Sequence, residues 1–338
     1  MKIDDLNKID GKRMFETYDK WPNIAKSVFE SEIERLDIKE IDHIVFAGMG
    51  GSGSIGDVIG AILSKKDIHV TNVKGYLLPK TVDENTLVIA TSVSGNSIEV
   101  LEILKNVKKM STKVVGFSSG GKMENLCLKN NIYYQKIPMI HSPRASFPKF
   151  LFSILNILEE VIPINQNEIN ESILGLEETR KNISTDNLNE NNKSLDLAKF
   201  VTDLPYIYYP AGLKSAAIRF KNSLQENTKT HALTEDVIES CHNGIVGWSM
   251  KSESNPIFIQ GYNDHIKTIE RWSILKQFFE DKKIQYKIVK SNEGGILSKI
   301  VNLIYLLDYT TIYSSVLRNI DPTPVEPIDY IKNKLDKN

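Results

Sequence analysis

Apolar positions along this chain fall into two rhythms that alternate from residue 43 onward. Ile44-Val45-Phe46-Ala47 is apolar at every position and runs into a glycine turn, after which a helical spacing continues through Leu63. Further short runs predict strands at 68–73, 86–91, 113–117 and 132–136, separated by helices or turns. Strands of this kind alternating with helices predict a parallel sheet with crossover helices. The expected fold class is α/β and doubly wound.

After Pro148 the run from Phe150 to Leu158 predicts a strongly apolar helix packed across or between the lobes. Residues 163–195 then turn rich in Asn, Glu and Lys and lose the strand pattern, which marks a polar, helical connector. Beyond it Tyr206-Ile207-Tyr208-Tyr209 enters Pro210-Ala211-Gly212, a helix is expected from about Lys214 to Thr228, and strands are expected near 256–261 and 284–289. Both halves open with a strand, a glycine-containing turn and a helix, as two variants of one theme would. The chain divides on this reading into an N-terminal domain, 1–162, with a helical extension at its start, the connector 163–195, and a C-terminal domain, 196–338. The longest apolar helix, near 296–318, is interrupted by Asp308 and several hydroxyls, so no membrane span is expected. Asp321-Pro322-Thr323-Pro324-Val325-Glu326-Pro327 should run extended before a last short helix reaching Lys334.

The 338 residues, 41% hydrophobic and 25% charged, suffice for two compact lobes. A net charge of −1 offers no broad basic surface for nucleic acid or an anionic membrane. Cys127 and Cys241 fit no metal-binding spacing, which favours reduced thiols in a cytoplasmic protein and gives no metal-ligand cluster.

Two turns carry the candidate chemistry. Gly48-Met49-Gly50-Gly51-Ser52-Gly53 satisfies GxGxxG between a strand and a helix, the spacing of a dinucleotide site. A nicotinamide enzyme should also place Asp or Glu at the end of the second strand, and the stretch from Val70 to Tyr76 has neither. The glycines, Gly51 among them, therefore read as letting backbone N–H groups and Ser52 approach a smaller anion. Thr91-Ser92-Val93-Ser94-Gly95-Asn96-Ser97 likewise leaves a strand and caps a helix beginning at Ile98. Hydroxyls and the positive end of that helix suit a phosphate, although the same residues could form a plain N-cap. Two such turns at the carboxyl ends of strands of one parallel sheet can face one crevice.

Gly48-Met49-Gly50-Gly51-Ser52, Ser92-Val93-Ser94-Gly95-Asn96-Ser97 and Pro143-Arg144-Ala145 are similar to a sugar isomerase (SIS) domain. With Gln225-Glu226-Asn227 and His242-Asn243 added, nearly the whole chain resembles the bifunctional phosphoglucose/phosphomannose isomerases. The resemblance implies two SIS domains with parallel sheets flanked by helices, a hexose 6-phosphate substrate, and interconversion of aldose and ketose phosphates without a cofactor, a step of glycolysis and gluconeogenesis. It also implies a homodimer with shared active sites, the His-bearing segment crossing the interface. By matching position it assigns the phosphate to Ser52, Ser92, Ser94 and Ser97, beside Gly51. Ser97 stands where the family usually has Thr and keeps the hydroxyl.

Such a reaction moves a proton between neighbouring carbons through an enediolate, so it needs a base, a group at the developing oxyanion, and an acid/base to open the sugar ring. Glu226 is the expected base, and it should avoid full neutralisation by a close cation. Arg144, in a loop after a strand, is the expected oxyanion partner. His242 is expected to open the ring; family members commonly have Glu after His-Asn, where this chain has Gly244. Lys332 resembles a family lysine that completes the site, with Lys334 as the alternative in register. The resemblance also implies that a small hydroxyl residue near the C-terminus, here at Thr323-Pro324, lets both C2 epimers enter. The alternative function is a sugar-phosphate-binding SIS regulatory module without turnover; a nicotinamide oxidoreductase is a third.

Overall fold

The computed structural model describes residues 1–107 and 109–335. Positions 336–338, the end of the C-terminal domain expected above, lie outside the described residues. Its first sheet comprises β1 (His43–Ala47), β2 (His69–Val73), β3 (Thr86–Ser92), β4 (Lys113–Ser118) and β5 (Tyr133–Lys136), all parallel, in the order β2-β1-β3-β4-β5. The second comprises β6 (Tyr206–Tyr209), β7 (Leu233–Asp236), β8 (Pro256–Gln260) and β9 (Lys287–Lys290), also parallel, in the order β7-β6-β8-β9.

Both faces of each sheet are covered, which is why the central strands read as unbroken apolar runs. Side chains alternate across a strand. Ile44 and Phe46 of β1, with Leu87 and Ile89 of β3, face the main core, while Val45 and Val88 face a smaller cluster with Val107. In the second sheet Ile207, Ile257 and Ile259 join the main core, and Tyr208 and Phe258 pack with Trp248, Trp272 and Phe279 on the other face.

Fourteen α-helical segments are present among the described residues. Three precede the first strand, α1 (Ile3–Ile9), α2 (Met14–Asp19) and α3 (Trp21–Phe29). The first sheet is interleaved with α4 (Gly50–Leu63), α5 (Ile98–Val107) and α6 (Gly121–Lys129), then followed by α7 (Phe147–Ile157). The polar stretch becomes α8 (Gln166–Ile183), opened by a capping box between Asn165 and Glu168, and the start of α9 (Lys193–Phe200). Around the second sheet lie α10 (Lys214–Ser223), α11 (Val237–Ser240), α12 (Ile266–Asp281), α13 (Ile296–Leu317) and α14 (Glu326–Leu335). Of the described helices α13 alone is long and apolar enough to cross a bilayer, and it lies buried at the centre of the protein.

Three sequence expectations are corrected. The strand expected at 284–289 is β9, shifted to Lys287–Lys290. β7 was not anticipated, because Leu-Thr-Glu-Asp on a sheet edge needs no apolar face. The helix expected to run to Thr228 ends at Ser223 and continues as a wider π-helical turn, Leu224–Thr228.

Candidate active site

The chain leaves β1 and β3 on opposite sides of the point where strand order reverses, so the turns after them meet at one end of the sheet. Gly50, with φ +51°, begins α4. Ser52, in the first turn of α4 and buried, accepts a hydrogen bond from the Val93 N–H at 3.1 Å, which ties the two turns together. In the second turn the Ser92 and Ser97 hydroxyls meet at 2.9 Å, and Ser94 Oγ accepts from the Asn96 N–H at 3.3 Å. Gly95, at φ +70°, lies directly against the Gly120 carbonyl, where no side chain fits. Gly51 packs on the Pro143–Arg144 loop: a Cβ there would sit 3.4 Å from the Pro143 carbonyl oxygen.

Arg144 is only 4% exposed. Its Nε donates to Asn227 Oδ1 at 2.7 Å, Nη1 to Glu226 Oε2 at 3.0 Å, and Nη2 to the carbonyls of Pro322 and Thr323 at 2.7 and 3.1 Å. One guanidinium thus joins the first lobe, the π-helical turn and the C-terminal strap, Asp321–Val325. Glu226 was expected to stand clear of a close cation; instead its carboxylate shares a direct ion pair with Arg144.

The π-helical turn closes with Lys229 in the left-handed region, its N–H reaching back to the Leu224 carbonyl. Within that turn Leu224, Asn227 and Thr228 point inward, and Glu226 lines a cleft of about 820 Å³. Gly50, Asn222, Lys229 and Asp321 line the same cleft, and Pro324 and Ile328 form its far wall. Lys229 Nζ donates to the carbonyls of Glu226 and Pro324 at 2.6 and 2.8 Å, pinning the strap to the turn that carries Glu226. Burial, then repulsion from Arg144, lowers the Lys229 pKa from its ordinary 10.5. Thr323 Oγ1 is buried and has no hydrogen-bond partner among the described residues.

The fold therefore brings Gly51, Arg144 and Glu226 to one place, with the serine turns adjoining through Ser52 and Val93. His242 is not on the cleft wall; it is exposed in the bend after α11. A physical reason for Gly244 is visible there: the Glu235 carboxylate, holding the Tyr206 hydroxyl at 2.5 Å, fills the space a side chain at 244 would need. Lys332 is exposed on α14, one turn past Ile328, and Lys334 lies over the Tyr330 ring at 5.6 Å. Sequence reasoning missed Lys229, whose only signal was its place two residues after the Gln225-Glu226-Asn227 motif. The turn at Thr323-Pro324, expected to shape the sugar pocket, contributes Pro324 to the cleft wall. Among the described residues no three His, Cys, Asp or Glu side chains converge to hold a metal ion.

Two family models match the chain: the SIS domain over residues 37–145, and the bacterial phospho-glucose isomerase C-terminal SIS domain over residues 190–335. The bifunctional phosphoglucose/phosphomannose isomerase of Caldicellulosiruptor bescii is 30% identical over 95% of this chain and 98% of that protein. The enzyme of the same name from Aquifex aeolicus is 28% identical over 91% and 95%. Among solved structures, the C-terminal domain of glucosamine-fructose-6-phosphate aminotransferase from Francisella tularensis shares the fold at a TM-score of 0.68, with 13% identity, over 91% of this chain and 96% of that one. Similarity this extended, on two parallel sheets whose switch point carries the serine turns, makes the chain a member of the bifunctional phosphoglucose/phosphomannose isomerase family, an isomerase of sugar phosphates.

Proposed function

We propose that the protein interconverts glucose 6-phosphate and mannose 6-phosphate with fructose 6-phosphate through an enediolate, in a cleft between residues 1–162 and 196–338, with 163–195 as connector. The observation that carries this reading is Glu226 on the wall of the cleft that Gly50 also lines, its carboxylate paired with the buried Arg144. The turns at Gly51–Ser52 and Ser92–Ser97 hold the phosphate and fix the far end of the sugar at the carboxylate. Glu226 takes the proton from C2 of the aldose and returns it to C1 while the O2 hydroxyl proton passes to O1, so that C2 becomes the carbonyl and no electrons enter or leave the substrate. Arg144 orients the carboxylate and stabilises the enediolate oxygen. Thr323, next to Pro324 of the cleft wall, is the small hydroxyl residue that lets both C2 epimers enter.

His242 opens and closes the ring, and its exposure supports delivery from a second copy of the chain in a cytoplasmic homodimer, where Val246 and Met250 beside it are also exposed. Lys332 completes the site from the exposed side of α14. A binding module without turnover is not favoured, because Glu226 lines the cleft in contact with Arg144 instead of pointing to open solvent, and the named relatives are isomerases.

Fructose 6-phosphate supplied with EDTA should yield both aldose phosphates. Glu226→Gln should lose about 10²- to 10⁴-fold in kcat, the range for a lost general base. Full activity in that variant would sink the mechanism, and loss of wild-type activity on chelation would point to metal-dependent chemistry.

A further inference from the structure

Helix α13 is buried along most of its length, and among the polar groups it encloses in its middle are a carboxylate and a hydroxyl, Asp308 and Thr311, both fully buried. A buried carboxylate without partners is strongly unfavourable, so its surroundings are informative. Asp308 accepts from Arg219 Nη2 at 2.6 Å, from Ser223 Oγ at 2.8 Å and from the Tyr18 hydroxyl at 3.2 Å. Arg219 Nη2 in turn donates to the Arg144 carbonyl at 2.8 Å. Thr311, three residues on and so on the same helix face, leads to the same arginine by another route. Its Oγ1 accepts from Asn227 Nδ2 at 2.7 Å, and Asn227 Oδ1 accepts from Arg144 Nε at 2.7 Å.

The direction of this second chain is fixed by proton count. The only hydroxyl proton of Thr311 goes to the Asp308 carbonyl, one turn back at 2.7 Å, so toward Asn227 the oxygen can only accept. Asn227 must then offer its NH₂ to Thr311 and its carbonyl to Arg144. A flipped amide would set NH₂ against the guanidinium N–H.

We infer that Thr311 is a positioning residue for the isomerase reaction: acting through Asn227, it fixes the rotation of the Arg144 guanidinium, so that Nη1 is presented to Glu226 and the reacting oxygen. This role rests on the catalytic reading of Arg144 and Glu226 above. The Asp308–Arg219 arm holds the same arginine by its backbone. The buried carboxylate of Asp308 and the hydroxyl of Thr311 are thereby accounted for.

Thr311→Val keeps the shape and removes the acceptor, and Thr311→Ser restores it. With fructose 6-phosphate as substrate, Thr311→Val should lose about 10- to 100-fold in kcat, the scale of a misplaced reacting group. KM should stay within about threefold, because the phosphate is held by the other lobe. Thr311→Ser should recover kcat to within about threefold of wild type. A purely structural role would lower the melting temperature of Thr311→Val and leave the kcat of its folded fraction intact, which overturns the inference. So would a serine variant as slow as the valine one. A wild-type chain without turnover would overturn the proposed reaction and this role with it, whereas an active wild type beside an equally active Thr311→Val overturns this role alone.

Discussion

Arg219→Met tests the buried pair beneath the site. Arg219 and Asp308 are 2% and 0% exposed and meet at 2.6 Å, with the guanidinium 4.2 Å from the Phe147 ring centre. Methionine keeps most of the apolar stem, so the change chiefly strands a carboxylate. Burial holds the Tyr18 phenol well above its ordinary pKa of 10, so Tyr18 and Ser223 remain as neutral donors. They cannot replace a charge. Removing one partner of such a pair costs about 3–5 kcal/mol. At about 2 °C per kcal/mol, the low end for larger domains, the melting temperature should fall by about 6–10 °C. Asp308→Asn should cost a similar amount, because it strands the guanidinium instead. Beyond the donor to the Arg144 carbonyl, whose loss it shares with Arg219→Met, the double variant Arg219→Met/Asp308→Asn removes both charges and leaves at most one hydroxyl without an acceptor, about 1–3 kcal/mol. It should therefore be no less stable than either single variant. Thermal and urea unfolding followed by circular dichroism would measure all three. A loss below about 1 kcal/mol for Arg219→Met, or a double variant whose cost equals the sum of the singles, would refute the reasoning.

Three further expectations follow from the serine turns and the first sheet. Ser97→Ala removes the hydroxyl paired with Ser92, so KM for fructose 6-phosphate should rise about tenfold with kcat within a few-fold, about 1.4 kcal/mol of binding. Gly95→Ala should fold poorly or melt far below wild type in a thermal-shift scan, because a side chain there meets the Gly120 carbonyl at positive φ. Gly75→Ala, which faces open space, should melt within about 2 °C of wild type. His43 is buried between Thr71 and Thr86, and burial, then repulsion from His69, lowers its pKa below the ordinary 6.5. Between the lowered value and 6.5 the unfolded chain binds the proton and the folded chain does not, so stability rises with pH through that window and is lost as pH falls below 6.5. His43→Gln should flatten the fall in melting temperature as pH drops below 6.5; an unchanged slope would rule His43 out as its source.

What the sequence disclosed was mostly what one segment determines by itself. β1 and β3 announced themselves because burial on both faces demands apolar residues throughout, and the turns after them because glycine and serine have few other reasons to cluster at a strand's end. β7 stayed hidden, since an edge strand can be polar. The Arg144–Glu226 pair joins residues 82 positions apart, and no local pattern encodes such a meeting. Asp308 was visible as an anomaly in an apolar helix, but its meaning lay in Arg219 and in the backbone of Arg144. Lys229 escaped notice because its task is to hold carbonyls of the strap, and carbonyls are the same in every sequence.

The widened turn at Leu224–Thr228 makes this site sensitive to the count of residues as well as to their kinds. Neighbours on an α-helix diverge by about 100° around the axis. Here Glu226 and Asn227, adjacent in sequence, grip Nη1 and Nε of one guanidinium. The spare residue accommodated by the bulge sets that alignment, with the Lys229 N–H reaching Leu224 across five positions. Excising Thr228 alone would let an ordinary helix form and leave both Glu226 and Asn227 in the chain, yet turn one of the two partners away from Arg144. A lineage could lose this reaction through one three-nucleotide deletion while both sheets and the serine turns stayed whole.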